Sequence, residues 1–278
     1  MKTESGATTY RLIAFDMDGT LLDSNKRILP SSVAAIKKAQ ELGKIVCLST
    51  GRCLPELRDF LAENPYIRYV IGDSGAYIYD SIDRQFLDTT LIPVETAVEI
   101  MNRLEGIDAM VHLHTESSIV QRSHVMKMDK YGMGVYQGMF LKICDMREDI
   151  RKEYLANPFP LFKFNTYCKS REDRNEVRRR VSDLNLEMAD AEAGSFEMSP
   201  GGVTKGSGLS KLCGLLDIPL PETIAVGDAD NDLPVLETAG LGIAMGNSNR
   251  HILSIAAAVV QDNDSGGCAE AIEKYLLQ

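Results

Sequence analysis

The sequence predicts an α/β protein: a parallel sheet covered on both faces, interrupted by an inserted α+β segment. Three observations carry this. Short apolar runs alternate with helix-like patterns through roughly the first 80 and the last 75 residues. The middle instead shows partial period-two alternation. Finally, four polar clusters lie where an apolar run stops or a helical pattern begins, which is where open parallel sheets bind ligands.

The elements follow in order. RLIAF (11–15) is an apolar strand. In SSVAAIKKAQELG, residues Val33, Ile36, Ala39 and Leu42 space as one helix face, and Gly43 ends it. KIVCLS, the helical LPELRDFLAE and the strand YVIGD come next. Near the far end stand a helical GLSKLCGLLD, the strand TIAVG, the helix LPVLETAG, the strand LGIAMG and the apolar run AAAVV. Strands with few polar interruptions between helices indicate a sheet buried on both faces. In the middle, AMVHLHTE, SIVQRS and PLFKFNTYC alternate partially, and SREDRNEVRRRVSDL is a charged amphipathic helix. The expected division is a core of residues 1–83 and 191–278 and an inserted domain of residues 84–190.

Net charge is −10, unevenly spread. Residues 84–190 hold 16 basic and 17 acidic side chains, leaving 14 basic and 23 acidic for the outer segments. Such a balance argues against nucleic-acid or anionic-membrane partners. If the acidic segments handle an anion, they need a cation to do so. The six cysteines are scattered without a C-x-x-C pair, as expected of reduced thiols in a cytoplasmic protein. No window approaches a membrane span, and MKTESGATTY lacks the apolar stretch of a signal peptide.

The polar clusters are FDMDGT (15–20), Ser49-Thr50-Gly51-Arg52, GDADND (227–232) and Lys205 in GGVTKGSG. In an extended chain Asp16 and Asp18 share a face and repel, so a positive group is expected beside them. An EF-hand is excluded: counting from Asp16, positions 6 and 12 are Leu21 and Arg27, and from Asp228 they are Leu233 and Ala239. Helix capping by Asn231 or Asp232 is a plain alternative for one of them, but leaves Asp228 unexplained. A lysine in a helix's first turn sits against the macrodipole at a cost of roughly 0.3–1 kcal/mol. Lys205 fits there if it and the helix amides share an anion; the plain alternative is a solvated surface lysine. GGVTKGS lacks the P-loop spacing. Three aspartates with oxygen ligands suit Mg²⁺, which binds through few carboxylates plus substrate phosphate.

These motifs resemble the haloacid dehalogenase (HAD) superfamily of aspartate-nucleophile phosphatases, in its type IIB, Cof-like branch. The matching segments are Asp16-Met17-Asp18-Gly19-Thr20, Ser49-Thr50-Gly51-Arg52, SFEMSPGGVTKGSGL with Lys205, and GDADND with Asp228, Asn231 and Asp232. GIAMGNSN also looks like the branch's M-G-N segment. All occur in order, and the long stretch between the second and third matches a IIB cap insertion. Two departures stand out. Asp73-Ser74-Gly75-Ala76 replaces the branch's common N-G-A, which would line the substrate entrance, and Ser265-Gly266 replaces a common D-G.

The resemblance implies a Rossmann-like core with an α+β cap. It implies that Asp16 attacks phosphorus and that Asp18 acts as general acid, then base. Mg²⁺ would rest on Asp16, the Asp18 backbone carbonyl and Asp228, with Asp232 supporting. Thr50, Gly51, Lys205 and Asn231 would hold the phosphoryl oxygens. In the cap, His112, His114, Arg122 and His124 are candidate leaving-group readers; the plain reading of each histidine is a half-exposed strand residue. Arg52 either steers phosphate or pairs with an acid. Met126, Met128, Met133 and Met139 are expected to fill gaps. The expected protein is a Mg²⁺-dependent phosphatase of a small phosphorylated metabolite, such as a sugar phosphate or phosphorylated cofactor, acting as a monomer or homodimer. The alternatives are a phosphomutase of the same superfamily, a receiver-like phospho-acceptor, which would be about half this length, and an inactive binding protein, which would have lost one of the four key residues.

Overall fold

The computed structural model describes residues 9–190 and 194–278. Among the described residues, fourteen strands form two sheets. In chain order they are β1 (Leu12–Phe15), β2 (Ile45–Ser49), β3 (Tyr69–Gly72), β4 (Tyr77–Asp80), β5 (Gln85–Thr89), β6 (Ala109–His114), β7 (Ser118–Gln121), β8 (Asp145–Arg147), β9 (Lys163–Cys168), β10 (Leu186–Asp190), β11 (Ser195–Pro200), β12 (Thr223–Gly227), β13 (Leu241–Ala244) and β14 (Ala258–Val259).

The larger sheet runs β14-β13-β12-β1-β2-β3-β4-β5. Pairing is parallel from β14 to β3 and antiparallel for β4 and β5. Alternation along its strands feeds two cores. Ile13, Phe15, Val46, Leu48, Ile224 and Val226 pack on the helices Pro30–Glu41 and Leu54–Glu63 and on the C-terminal helical turns. Leu12, Ala14, Cys47 and Ala225 pack on the helices Lys205–Leu216, Leu233–Thr238 and Arg250–Ile255. Burial on both faces explains why these strands read as unbroken apolar runs.

The smaller sheet, order β10-β11-β9-β6-β7-β8, is antiparallel except at β7 and β8. The helices Val94–Arg103, Ile150–Ala156 and Arg171–Val181 cover one face around Phe164, Phe196 and Leu113. The last is well specified by its own sequence. Ser170 caps it by accepting from the Asp173 amide at 3.1 Å, with Glu172 and Asp173 in the first turn and Arg178, Arg179 and Arg180 in the last. Met128 and Met133 fill a second apolar cluster with Phe140 and Tyr131, as expected of methionine, whereas Met126 is exposed.

The sheets correct the expected boundaries at 84 and 190. β5 lies beyond 84 but pairs with β4 in the larger sheet, and β11 lies beyond 190 but pairs with β9 in the smaller one. The chain crosses between the sheets near residues 90 and 201. QFLDT is a half-exposed edge strand with little apolar signal, and SFEMSP reads as the approach to Lys205; neither announces its sheet. Among the described residues no helix is long and apolar enough to cross a membrane.

Candidate active site

The carboxyl ends of β1, β2 and β12, neighbours in the middle of the larger sheet, meet the start of the helix Lys205–Leu216. β1 stops at Phe15, and the Asp16 amide still donates to Val226 O at 3.0 Å. The chain then turns, with Leu21 N donating to Asp16 O at 3.1 Å and Leu22 N to Met17 O at 2.9 Å. Gly19 takes φ +86° in this turn, and a Cβ there would lie 2.5 Å from Asp228 Oδ2.

This turn changes the expected relation of the two aspartates. Asp18 does not continue the strand, so the carboxylates part and each finds its own cation. Asp16 accepts from Lys205 Nζ at 2.6 Å. Asp18 accepts from Arg52 through two bonds of 2.8 Å and from Lys26 Nζ at 2.7 Å. Of the two readings of Arg52, the structure gives the acid pair. Burial raises the Asp18 pKa, but the Arg52 and Lys26 contacts outweigh it and leave the group below the ordinary carboxylate range.

Lys205 is the first residue of its helix, behind the cap Thr204, whose side chain accepts from the Ser207 amide in a reciprocal capping box. It is 1% exposed, so the solvated-lysine reading fails. Its Nζ bridges Asp16 Oδ1 and Asp232 Oδ1, both at 2.6 Å. Two carboxylates offset the unfavourable dipole position. The other oxygen of Asp232 accepts from the Asp228 amide at 2.9 Å and the Ala229 amide at 3.1 Å. Asp232 precedes the helix Leu233–Thr238 but makes no side-chain cap to it; its carboxylate faces back into the loop.

Asp228 accepts from Thr20 Oγ1 at 2.8 Å. Burial pushes its carboxyl up to about 6, against the Thr20 bond. Burial likewise lifts Asp16 to about 7, with Lys205 opposing and Asp232 and Asp228 adding repulsion. One carboxylate oxygen each from Asp16, Asp228 and Asp232 lies within 4.8 Å of the others. Three crowded carboxylates, with Asp16 and Asp228 held at raised pKa values, fit a hard divalent cation. Asp232 already spends both oxygens on Lys205 and two amides, which suits support rather than direct ligation.

Thr50 is buried and clamped. Its amide donates to Ile71 O at 2.8 Å, its carbonyl accepts from Ser74 N at 2.9 Å and its Oγ1 accepts from Arg52 N at 3.2 Å. Gly51 O accepts from Lys163 Nζ at 3.2 Å. Asn231 is exposed on the turn Asp230–Asp232.

The cap candidates separate. Arg122 is exposed and pairs with Glu148 at 2.9 Å. His124 is half-buried, its ring against Tyr131. His112 and His114 are fully buried, which overturns the half-exposed reading for both. They share the face of β6 turned to the core. His114 Nδ1 lies 2.6 Å from Asp73 Oδ1, and its Nε2 lies 3.0 Å from His112 Nδ1. Burial drives the Asp73 carboxyl up to about 8 and His114 down to about 3, so this contact is a neutral hydrogen bond.

Sequence reasoning missed Lys163 and Glu197, and marked Asp73 only as a departure from the family's motif at the substrate entrance. Lys163 is wholly buried, donates to Ser74 Oγ at 3.1 Å and pairs with Glu197. The signal was available: His114 pairs across strands with Lys163, His112 with Asn165, and Glu197 with Asn165. Polar residues two apart on three neighbouring strands mark one polar sheet face. Asp73 and Ser74 both hold left-handed φ, 45° and 59°, a strain of the kind kept at functional sites.

The family model of haloacid dehalogenase-like hydrolases matches residues 13–272. A Bacillus subtilis protein named Phosphatase YwpJ is 31% identical, with 96% of this chain and all of that protein covered. The Escherichia coli protein named Pyridoxal phosphate phosphatase YbhA is 27% identical over 97% of this chain and all of that one. The solved structure of the HAD subclass IIB sugar phosphatase BT4131 superposes with a TM-score of 0.80 at 22% identity, covering 95% of this chain and 98% of its own. This chain belongs to the haloacid dehalogenase-like hydrolases. Within that family it is a phosphoric monoester hydrolase.

Proposed function

We propose that the chain is a Mg²⁺-dependent phosphatase of a small phosphorylated metabolite, working through an aspartyl-phosphate on Asp16. The observation that carries this reading is Lys205 Nζ bridging Asp16 and Asp232 in a buried pocket beside Asp228. Asp16, the Asp18 carbonyl and Asp228 would hold Mg²⁺, which when bound withdraws charge from phosphate oxygens.

The chain's own groups divide the remaining work. An Asp16 carboxylate oxygen bonds to phosphorus while the bond to the leaving oxygen breaks, and Asp18 gives that oxygen its proton. Asp18 then takes a proton from the water whose oxygen attacks phosphorus, and the Asp16–phosphorus bond breaks. Asp18 held by Arg52 and Lys26 is ionised. To donate a proton it must leave Arg52, so the ion pair is a resting position. Lys205 and Thr50 bind phosphoryl oxygens, with Gly51 and Asn231 beside them. The second sheet acts as a cap, presenting Lys163 and Glu197 towards the leaving group.

The relative named for pyridoxal phosphate supports a compact phosphorylated metabolite as substrate. The test is phosphate release from a panel of phosphorylated metabolites, in Mg²⁺ and in EDTA. Metal-dependent release confined to one compound class supports the reading. Release that persists in EDTA contradicts it.

A further inference from the structure

A second cluster of metal-ligating side chains lies outside the aspartate site, and the phosphatase reading uses none of it. One ligand atom each from Cys53, His112 and His114 lies within 4.8 Å of the others, and all three residues are buried. They come from both halves of the molecule. Cys53 directly precedes the core helix Leu54–Glu63, and the histidines sit at positions i and i+2 of cap strand β6.

The far side of each ring is already oriented. His114 Nδ1 lies 2.6 Å from Asp73 Oδ1, and His112 Nε2 lies 2.6 Å from Ser118 Oγ. His114 Nε2 and His112 Nδ1 then face each other at 3.0 Å, with Asn165 Nδ2 at 3.4 Å from the first and the Tyr167 hydroxyl at 3.1 Å from the second, contacts that an incoming cation would replace. A carboxyl or hydroxyl group behind each imidazole, with its other nitrogen turned inward, is the arrangement that orients histidine ligands. Asp73 Oδ2 is buried with no hydrogen-bond partner, as is Asn165 Oδ1 nearby. Acids also lie around the cluster: Glu56 and Asp73 stand close enough to act on Cys53, and the one lysine there, Lys163, is already paired with Glu197.

We propose that Cys53, His112 and His114 form a binding site for a borderline-soft divalent cation of the Zn²⁺ class, joining core to cap. One thiolate and two imidazoles suit that class and not Mg²⁺. On binding, the Cys53 thiol and His114 Nε2 each release one proton to solvent, Asp73 passes its proton to His114 Nδ1, and lone pairs on sulfur and on the two facing nitrogens form the new bonds. No oxidant or reductant is involved. Because the ligands come from both halves, an occupied site pins β6 against the core. Zn²⁺ then acts as a brake on any opening of the cap, separate from the Mg²⁺ that serves chemistry.

Co²⁺ is the probe, added to the whole protein with Mg²⁺ in excess to occupy the aspartates. The expected result is a thiolate-to-cobalt charge-transfer band that saturates at one equivalent and vanishes in Cys53→Ser. Asp73→Asn, which removes the carboxylate behind His114, should weaken Co²⁺ binding by about 10–100-fold. His112→Gln provides a second variant should Cys53→Ser fold poorly, and it should also lose the band. Cys144→Ser, at the neighbouring thiol, should keep it. No band in the wild type, or a band that survives Cys53→Ser, overturns the site. Since the readout is spectroscopic, it stands or falls independently of Mg²⁺-dependent phosphate release.

Discussion

Replacing Lys205 by methionine probes how the site is held together. The side chain is 1% exposed and ion-paired with two carboxylates, of which Asp232 is wholly buried and Asp16 nearly so. Removing one member of a buried pair costs about 3–5 kcal/mol, because its partners stay behind as uncompensated charges. The two bonds share one lysine and do not add. Against this, the variant regains the roughly 0.3–1 kcal/mol that a cation loses at a helix N-terminus. The net loss is therefore about 2–4 kcal/mol, a fall in Tm of about 5–15 °C for a chain of this size.

The pH dependence follows from Asp16. Its folded pKa of about 7 is raised above the ordinary 3.8, so its contribution is fully present below about pH 4 and is lost as pH rises towards 7. Without Lys205 the group moves higher still, because the attraction that opposes burial is gone. In thermal unfolding with EDTA the deficit should be larger at pH 8 than at pH 5. Mg²⁺ should recover part of it. A deficit below about 1 kcal/mol, or one equal at both pH values, would refute the electrostatic account of this pocket.

Asp16→Asn should abolish turnover while leaving Tm in EDTA equal to or above that of the wild type, checked by phosphate release and calorimetry. Arg52→Ala frees Asp18, whose lowered pKa returns upward; because Asp18 must be protonated to serve the leaving oxygen, the basic limb of kcat/KM against pH should move to higher pH. Stability at neutral pH should fall by only about 0.2–1 kcal/mol, since Asp18 is 41% exposed and screened. Thr204→Ala removes the capping box ahead of Lys205 and should cost about 0.5–2 kcal/mol, read from denaturant midpoints. Arg122→Ala, which cuts an exposed pair with Glu148, should change stability by less than about 0.5 kcal/mol and leave the substrate profile unaltered.

The legible parts of the molecule were those fixed by short-range chemistry. Strands β1, β2 and β12 announce themselves because burial on both faces leaves unbroken apolar runs, and the polar residues just beyond them stand out by contrast. Lys205 was conspicuous because its charge opposes the helix dipole. Long-range outcomes were harder to read. Nothing local says that Asp16 and Asp18 part company, since that depends on the turn through Gly19 and on where Arg52 and Lys26 lie. The same holds for Asp73 and Lys163, polar residues whose burial arises only when β6 and β9 close over the core. Arg122 was singled out by type alone, and its place beyond β7 faces it to Glu148 and solvent.

The central claim is that Asp16 carries the phosphoryl group between substrate and water. The direct test is an acid quench of the Mg²⁺-loaded enzyme turning over a substrate identified in the panel, followed by peptide mass analysis. The account predicts a phosphoryl group on the peptide containing Asp16, formed within the first turnover, removed by hydroxylamine and absent in Asp16→Asn. Turnover without any such adduct in the wild type, or an adduct on another residue, would contradict it.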